Sequence, residues 1–320
     1  MSTKIVSSKI VLDCDPGHDD AIALLLAAGD PRIDLLAVTT VAGNQTLEKV
    51  TRNALAVATI AGIDVPIAAG ADRPLVRPQT VAPDIHGESG LDGPVLPEPT
   101  VALDARHGVE LLVETVMAHE PGSVTLVPTG PLTNIALALR LEPAIVERVA
   151  RVVLMGGAYT RGNRTPAAEF NIAADPEAAQ AVFAAPWDVT MVGLDLTHQA
   201  TADAAVVERI AAIGSPLARF VVEVLAFFAS TYKQHQGFDA PPVHDPCCVA
   251  MVADPAVAET RDAFVAVELA GTWTTGMTVT DFGDAYGQPH NTHVATRLDH
   301  GRFWDMTVAA IAALSKEGAA

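Results

Sequence analysis

Lys9-Ile10-Val11-Leu12-Asp13-Cys14-Asp15-Pro16-Gly17-His18-Asp19-Asp20-Ala21-Ile22-Ala23-Leu24-Leu25-Leu26-Ala27 decides how this chain is read. The run Lys9–Leu12 reads as a buried strand, and Ala21–Ala27 as a helix. Between them, four aspartates fall within eight residues. Carboxylates this close repel one another unless a cation or hydrogen-bond donors compensate. A hard divalent metal with oxygen ligands is the first candidate, and the helix N-terminus a lesser one. Capping accounts for Asp19 and Asp20, because acids suit a first helical turn. It does not account for Asp13 and Asp15, which end a strand where Pro16-Gly17 forces a turn.

The same alternation continues outward. Leu35–Val41, Val124–Val127, Val152–Met155 and Val189–Val192 are short, β-branched runs. Thr46–Ala61, Gly108–His119, Thr133–Leu139 and Pro176–Ala184 read as helices between them. Strands separated by helices predict βαβ units: an α/β fold with an open, mostly parallel central sheet and helices on both faces. Phe264–Leu269 and Met277–Thr280 come late and close together, which allows antiparallel pairing, and Arg302–Leu314 reads as a last helix. No linker, charge block or repeat divides the 320 residues, so positions 1–320 are expected to form a single domain.

Half the residues are apolar and 18% are charged, against about 25% in ordinary globular chains, so a large core is expected. The net charge of −18 and the scarcity of Lys and Arg argue against nucleic-acid or membrane partners. Cys14, Cys247 and Cys248 are too few for a disulfide framework and lie in apolar stretches. Met1–Ser8 lacks the apolar run of a signal peptide, and a reducing cytoplasm is the expectation.

Ligands of such folds bind beyond the carboxyl ends of the strands. There the sequence offers Gly43-Asn44, Pro128-Thr129-Gly130-Pro131-Leu132-Thr133-Asn134, Gly156-Gly157, Glu169-Phe170-Asn171 and, before a later helix, His244-Asp245-Pro246. These loops bring small residues and neutral or acidic oxygens, with Arg161 and Arg164 almost the only cations. That chemistry suits a metal and a polyol better than a phosphate. No G-x-G-x-x-G follows the first strand, and no Walker lysine follows Gly156-Gly157. An EF-hand is excluded because Asp19-Asp20 breaks its ligand alternation. The haloacid dehalogenase-like phosphatases share D-x-D after a first strand, but Gly17 stands where they usually carry Thr or Val.

The whole pattern resembles the inosine-uridine preferring nucleoside hydrolases. Asp13–Asp20 fits D-x-D-P-G-x-D-D at every position. The match continues in order through Gly43-Asn44, His86-Gly87, Pro128–Asn134, Met155-Gly156-Gly157, Glu169-Phe170-Asn171, Asp175-Pro176-Glu177-Ala178 and His244-Asp245-Pro246. The resemblance implies hydrolysis of the N-glycosidic bond of ribonucleosides such as inosine and uridine, giving free base and ribose. It implies one Ca²⁺ held by Asp15, Asp20, the Thr129 carbonyl and Asp245. It makes Asp15 the general base, His244 the leaving-group acid, and Asp19 the holder of ribose hydroxyls. Asn44, Met155, Asn163, Glu169 and Asn171 would line the rest of the ribose pocket, with Asp13 in a supporting position.

His86 would approach the base. Helical spacing puts Phe228 and Tyr232 on one face, also toward the base, where relatives tend to carry two tyrosines. Asn134 reads as structural, and His18 receives no catalytic role. A homotetramer or dimer is implied, in nucleoside salvage. The alternatives are a metal-dependent phosphatase of the haloacid dehalogenase type and a non-catalytic, Ca²⁺-dependent nucleoside-binding protein.

Overall fold

A computed structural model describes residues 7–317. Its strands are β1 (Ser8–Cys14), β2 (Ile33–Thr40), β3 (Ile67–Ala69), β4 (Val124–Pro128), β5 (Val149–Met155), β6 (Val189–Val192), β7 (Ala258–Val267), β8 (Thr278–Asp281) and β9 (Thr292–Leu298). They form one nine-stranded sheet in the order β3-β2-β1-β4-β5-β6-β9-β7-β8. From β3 to β9 every pairing is parallel, and β7 pairs antiparallel with both β9 and β8. The predicted α/β architecture and the late antiparallel pairing are both present.

The five early strands form where β-branched runs were read, extended by one to three residues at some ends. Two strands leave no clear trace in the sequence. β3 is three residues long. β9, Thr292-His293-Val294-Ala295-Thr296-Arg297-Leu298, carries exposed His293 and Arg297 that dilute its apolar signal.

Alternation along each strand feeds two cores. Ile10, Leu12 and Cys14 face a layer containing the helices His18–Gly29, Pro216–His235, Pro246–Ala253 and His300–Glu317. Val11 faces the other layer, with Gly108–Ala118, Thr133–Leu141 and Pro176–Ala184. The fully apolar interior of β1 follows from burial on both faces.

β1 is the topological switch of the sheet. The chain leaves it toward β2 and β3 on one side, then returns to β4 on the other. A crevice opens at such a point beyond the strand ends. Register fixes what meets there: Asp13 stands opposite Thr39 on β2 and opposite Pro128 on β4. Asp15 and Thr129 therefore emerge side by side.

Candidate active site

The aspartates divide into different tasks. Asp13 turns toward the helix Thr133–Leu141, where its Oδ1 accepts from Asn134 Nδ2 at 2.7 Å and from Thr39 Oγ1 at 2.5 Å. Asn134 also donates to the Thr40 carbonyl and accepts from Ala71 N, so it braces three loops. Asp15 Oδ2 accepts from Asn44 N at 2.6 Å, whereas its buried Oδ1 has no partner. Asp20 caps its own helix, accepting from Gly17 N at 3.0 Å, and also accepts from Thr129 Oγ1 at 2.9 Å. Asp19 Oδ2 accepts from His244 N at 3.1 Å, fastening the first helix to the His244-Asp245 turn.

Close approach requires glycine at two places beside this cluster. A Cβ on Gly43 would lie 2.1 Å from Asp15 Oδ2, and one on Gly130 2.6 Å from Asp15 Oδ1.

One oxygen from each of Asp19, Asp20 and Asp245 lies within 4.8 Å of the others, and all three residues are buried. Asp15 is not a member of that trio; one of its oxygens is tied to Asn44 N and the other is unpartnered. Burial pushes these acids up: Asp19 to about 7, with Asp20 as the second cause, and Asp15 and Asp245 well above the usual carboxylate range. Burial first, and then the neighbouring acids, favours the neutral forms, so a fully ionised cluster needs positive charge. All-oxygen donors around an unpartnered carboxylate oxygen fit a hard divalent cation. The residues present make a candidate metal site.

A pocket opens above the cluster. Asp19, Asn44, His86, Thr129, Met155, Asn163, Glu169, Asn171, Tyr232, His244 and Asp245 all line it. Asp15, Asp20 and Phe228 do not. Phe228 is 1% exposed and packs behind the wall, its ring 4.6 Å from that of Tyr232 and 5.6 Å from that of His86. Helical spacing gave its face correctly, but not its depth. Ala82, Asp84, Ile85, Arg164, Phe170 and Gln236 also line the pocket, without a sequence signal that marks them as site residues. Phe170 sat inside a motif already read, and Asp84-Ile85 directly precedes His86. Gln236 follows Tyr232 by one helical turn.

Asn171 Nδ2 donates to the carbonyls of Thr129 (2.8 Å) and Met155 (3.1 Å), which joins the ends of β4 and β5. Glu169 caps the helix Phe170–Ala174, accepting from Asn171 N and Ile172 N, and takes Gly157 N as well. Burial nevertheless raises it to about 7. Asn163 Oδ1 accepts from Phe170 N at 2.9 Å.

On the opposite wall runs a hydrogen-bonded row. Thr197 Oγ1 lies 2.7 Å from His244 Nδ1, and His244 Nε2 lies 2.6 Å from Tyr232 Oη. Burial holds His244 well below the usual histidine range and pushes Tyr232 well up, so both are neutral. A neutral imidazole between two hydroxyls can pass a proton without holding a charge.

Residues 10–305 match the family model of the inosine-uridine preferring nucleoside hydrolases. The chain belongs to this family. It is 54% identical over 305 residues to an inosine-uridine preferring nucleoside hydrolase of Crithidia fasciculata, covering 95% of this chain and 97% of that one. It is 47% identical to a pyrimidine-specific ribonucleoside hydrolase of Enterobacter sp., covering 96% and 98%. Among solved structures, a purine-preferring ribonucleoside hydrolase from Gardnerella vaginalis superposes with a TM-score of 0.90 at 30% identity, covering 97% of this chain and all of that one. The chain is thus a nucleoside hydrolase, an enzyme of the glycosidase class, and the phosphatase and binding-protein alternatives fall.

Proposed function

We propose that residues 1–320 act as one catalytic domain, a Ca²⁺-dependent ribohydrolase accepting inosine, uridine and similar ribonucleosides. The observation that carries this is the convergence of three buried carboxylates, Asp19, Asp20 and Asp245, at a pocket lined by amides, further carboxylates and two histidines. Asp15 through its unpartnered oxygen, Asp20, the Thr129 carbonyl and Asp245 would hold the cation, with Asp19 beside them. When bound, Ca²⁺ supplies the positive charge the cluster lacks and a seat for hydroxyl and water oxygens.

In the reaction, the bond from C1′ to the base nitrogen breaks, water oxygen bonds to C1′, and the base leaves with a proton. Asp15 takes the proton of the attacking water. Asp19, at the pocket floor, grips ribose hydroxyls. Asn44, Asn163, Glu169 and Asn171 hold the remaining sugar oxygens, and Met155 lies under the ring. Their oxygen and sulfur dipoles face the cationic character that develops at C1′, and fixed dipoles of that kind need no reorganisation during reaction. His244 delivers the proton to the base, with Tyr232 as its relay, and His86 meets the base edge.

We further infer a cytoplasmic homotetramer or dimer serving nucleoside salvage. No helix of the described residues is long and apolar enough to cross a membrane.

The test of the residue roles is Asp15→Asn. General-base catalysis contributes about 10²–10⁴-fold, and loss of a metal ligand adds to that. A folded Asp15→Asn protein releasing base from inosine at near the native rate would remove Asp15 from this role.

A further inference from the structure

Among the described residues, Arg164 is the one arginine or lysine that lines the pocket, and the reaction described above does not use it. Its side chain is exposed, with the guanidinium carbon 6.0 Å from the centre of the Phe170 ring, which lines the pocket too. No carboxylate or other acceptor of the described residues takes a hydrogen bond from that guanidinium. A planar fork of five N–H donors is therefore open to a ligand.

The turn that carries Arg164 is rigid. Arg164 N and Thr165 N both donate to the Ala168 carbonyl, at 3.1 and 3.2 Å. Thr165 Oγ1 accepts from Ala167 N and Ala168 N. Gly162 lets the turn close, since a Cβ there would lie 2.2 Å from the Ala168 carbonyl oxygen. Asn163 Oδ1, which accepts from Phe170 N, ties the turn to the pocket wall.

Sugar geometry says what reaches this place. In a β-ribonucleoside the 2′ and 3′ hydroxyls leave one face of the ring, and the base and C5′ leave the other. With the hydroxyls on Asp19 and the cation, base and C5′ both rise toward the mouth. They diverge there, because C1′ and C4′ flank the ring oxygen on opposite sides. The base goes to the wall of His244 and Tyr232. The 5′ group then goes to the facing wall of Asn163 and Glu169, where Arg164 is the next residue outward.

The acids of the pocket do not oppose an anion at that spot. Asp19 and Asp245 belong to the cluster at the cation. Asp84 stands on the short helix Pro83–His86, on the base side with His86. Glu169 is the acid nearest in sequence, and its oxygens already accept from Gly157 N, Asn171 N and Ile172 N.

We propose that Arg164 forms a subsite for an anionic group on C5′, so that the enzyme also hydrolyses ribonucleoside 5′-monophosphates to free base and ribose 5-phosphate. A guanidinium fork matches phosphate oxygens two at a time. The bond from C1′ to the base nitrogen breaks, water oxygen joins C1′, and the base leaves with a proton. The phosphate ester stays intact, and water is the only co-reactant. This deepens the ribohydrolase reading and rests on its placement of the ribose.

The test compares Ca²⁺-loaded native protein, Arg164→Gln and Arg164→Lys on inosine and inosine 5′-monophosphate. Hypoxanthine, ribose, ribose 5-phosphate and inorganic phosphate are all quantified. Native protein should cleave both, the monophosphate giving ribose 5-phosphate and no inorganic phosphate. The kcat/KM ratio of monophosphate to inosine should fall about tenfold in Arg164→Gln, the scale of one charge-assisted contact. It should fall less in Arg164→Lys, which keeps the charge without the fork. Added salt should lower the native ratio and move the Arg164→Gln ratio far less. Calorimetry with ribose 5-phosphate and ribose reads the subsite without turnover. Native protein should prefer the phosphorylated sugar, and Arg164→Gln should lose that preference.

Inosine hydrolysis without cleavage of the monophosphate would overturn the proposal. So would a ratio that glutamine leaves unmoved, which would place Arg164 against the base. Native protein that cleaves neither substrate would refute the proposed function instead, and the preference between the two sugars would still decide the Arg164 subsite.

Discussion

Truncating His244 separates proton delivery from the rest of the machinery. His244→Ala removes the imidazole between Thr197 Oγ1 and Tyr232 Oη but keeps the backbone N–H that Asp19 uses. The carboxylate trio and the ribose wall therefore stay in place. Hypoxanthine and uracil leave poorly as anions, so inosine and uridine should slow by about 10²–10⁴-fold, the usual worth of general acid catalysis. A nitrophenolate leaving group needs no proton, and p-nitrophenyl riboside should slow by much less.

Because the 2.6 Å bond to Tyr232 makes the two residues one unit, adding Tyr232→Phe to His244→Ala should cost little more than His244→Ala alone. The truncation also strands two buried hydroxyls, at about 1–3 kcal/mol each, so the melting temperature should drop measurably. Rates come from base release by absorbance, alongside release of nitrophenolate. Equal slowing of natural and artificial substrates would refute the acid role and leave His244 as a support for Asp19.

Two further outcomes follow from the cluster. 2′-Deoxyinosine should react at about 10⁻⁴ of the inosine kcat/KM, because Asp19 and the cation would each lose an oxygen partner; equal values would exclude the proposed ribose geometry. The raised carboxylates also predict how Ca²⁺ and pH interact. Asp19 rises from 3.8 to about 7 in the metal-free fold, so its contribution to stability is complete below its unfolded value and is lost as pH climbs through about 7. A cation restores what ionisation costs, so the rise in melting temperature on adding Ca²⁺ should be larger near pH 8 than near pH 5.5. A rise independent of pH would place Ca²⁺ away from these acids.

Much of the fold was legible because burial on both faces leaves an unmixed trace. β1, β4, β5 and β6 each carry a short, largely apolar and β-branched run bounded by turn residues. β9 was not legible, since an alternation broken by His293, Thr296 and Arg297 looks like a loop until β6 and β7 pair with it. The site was legible in outline because parallel strands bring their carboxyl ends to one edge, and the motifs all follow strands or open helices.

Depth was not legible. Phe228 shares a helical face with Tyr232 yet stops behind His86. Asp15 and Asp19 stand four residues apart, but only Asp19 reaches the pocket surface. The His18–Asp92 contact spans 74 positions, and no local pattern could carry it.

The central claim is that the carboxylates of Asp15, Asp20 and Asp245 work through one Ca²⁺ to hydrolyse ribonucleosides. Its most direct measurement is turnover of inosine and uridine by exhaustively chelated protein, before and after Ca²⁺ is returned, with ribose and free base both quantified. The account predicts negligible hydrolysis without metal, and recovery with one Ca²⁺ per chain, each cleavage yielding equal ribose and base. Full turnover by protein verified to be metal-free would contradict it.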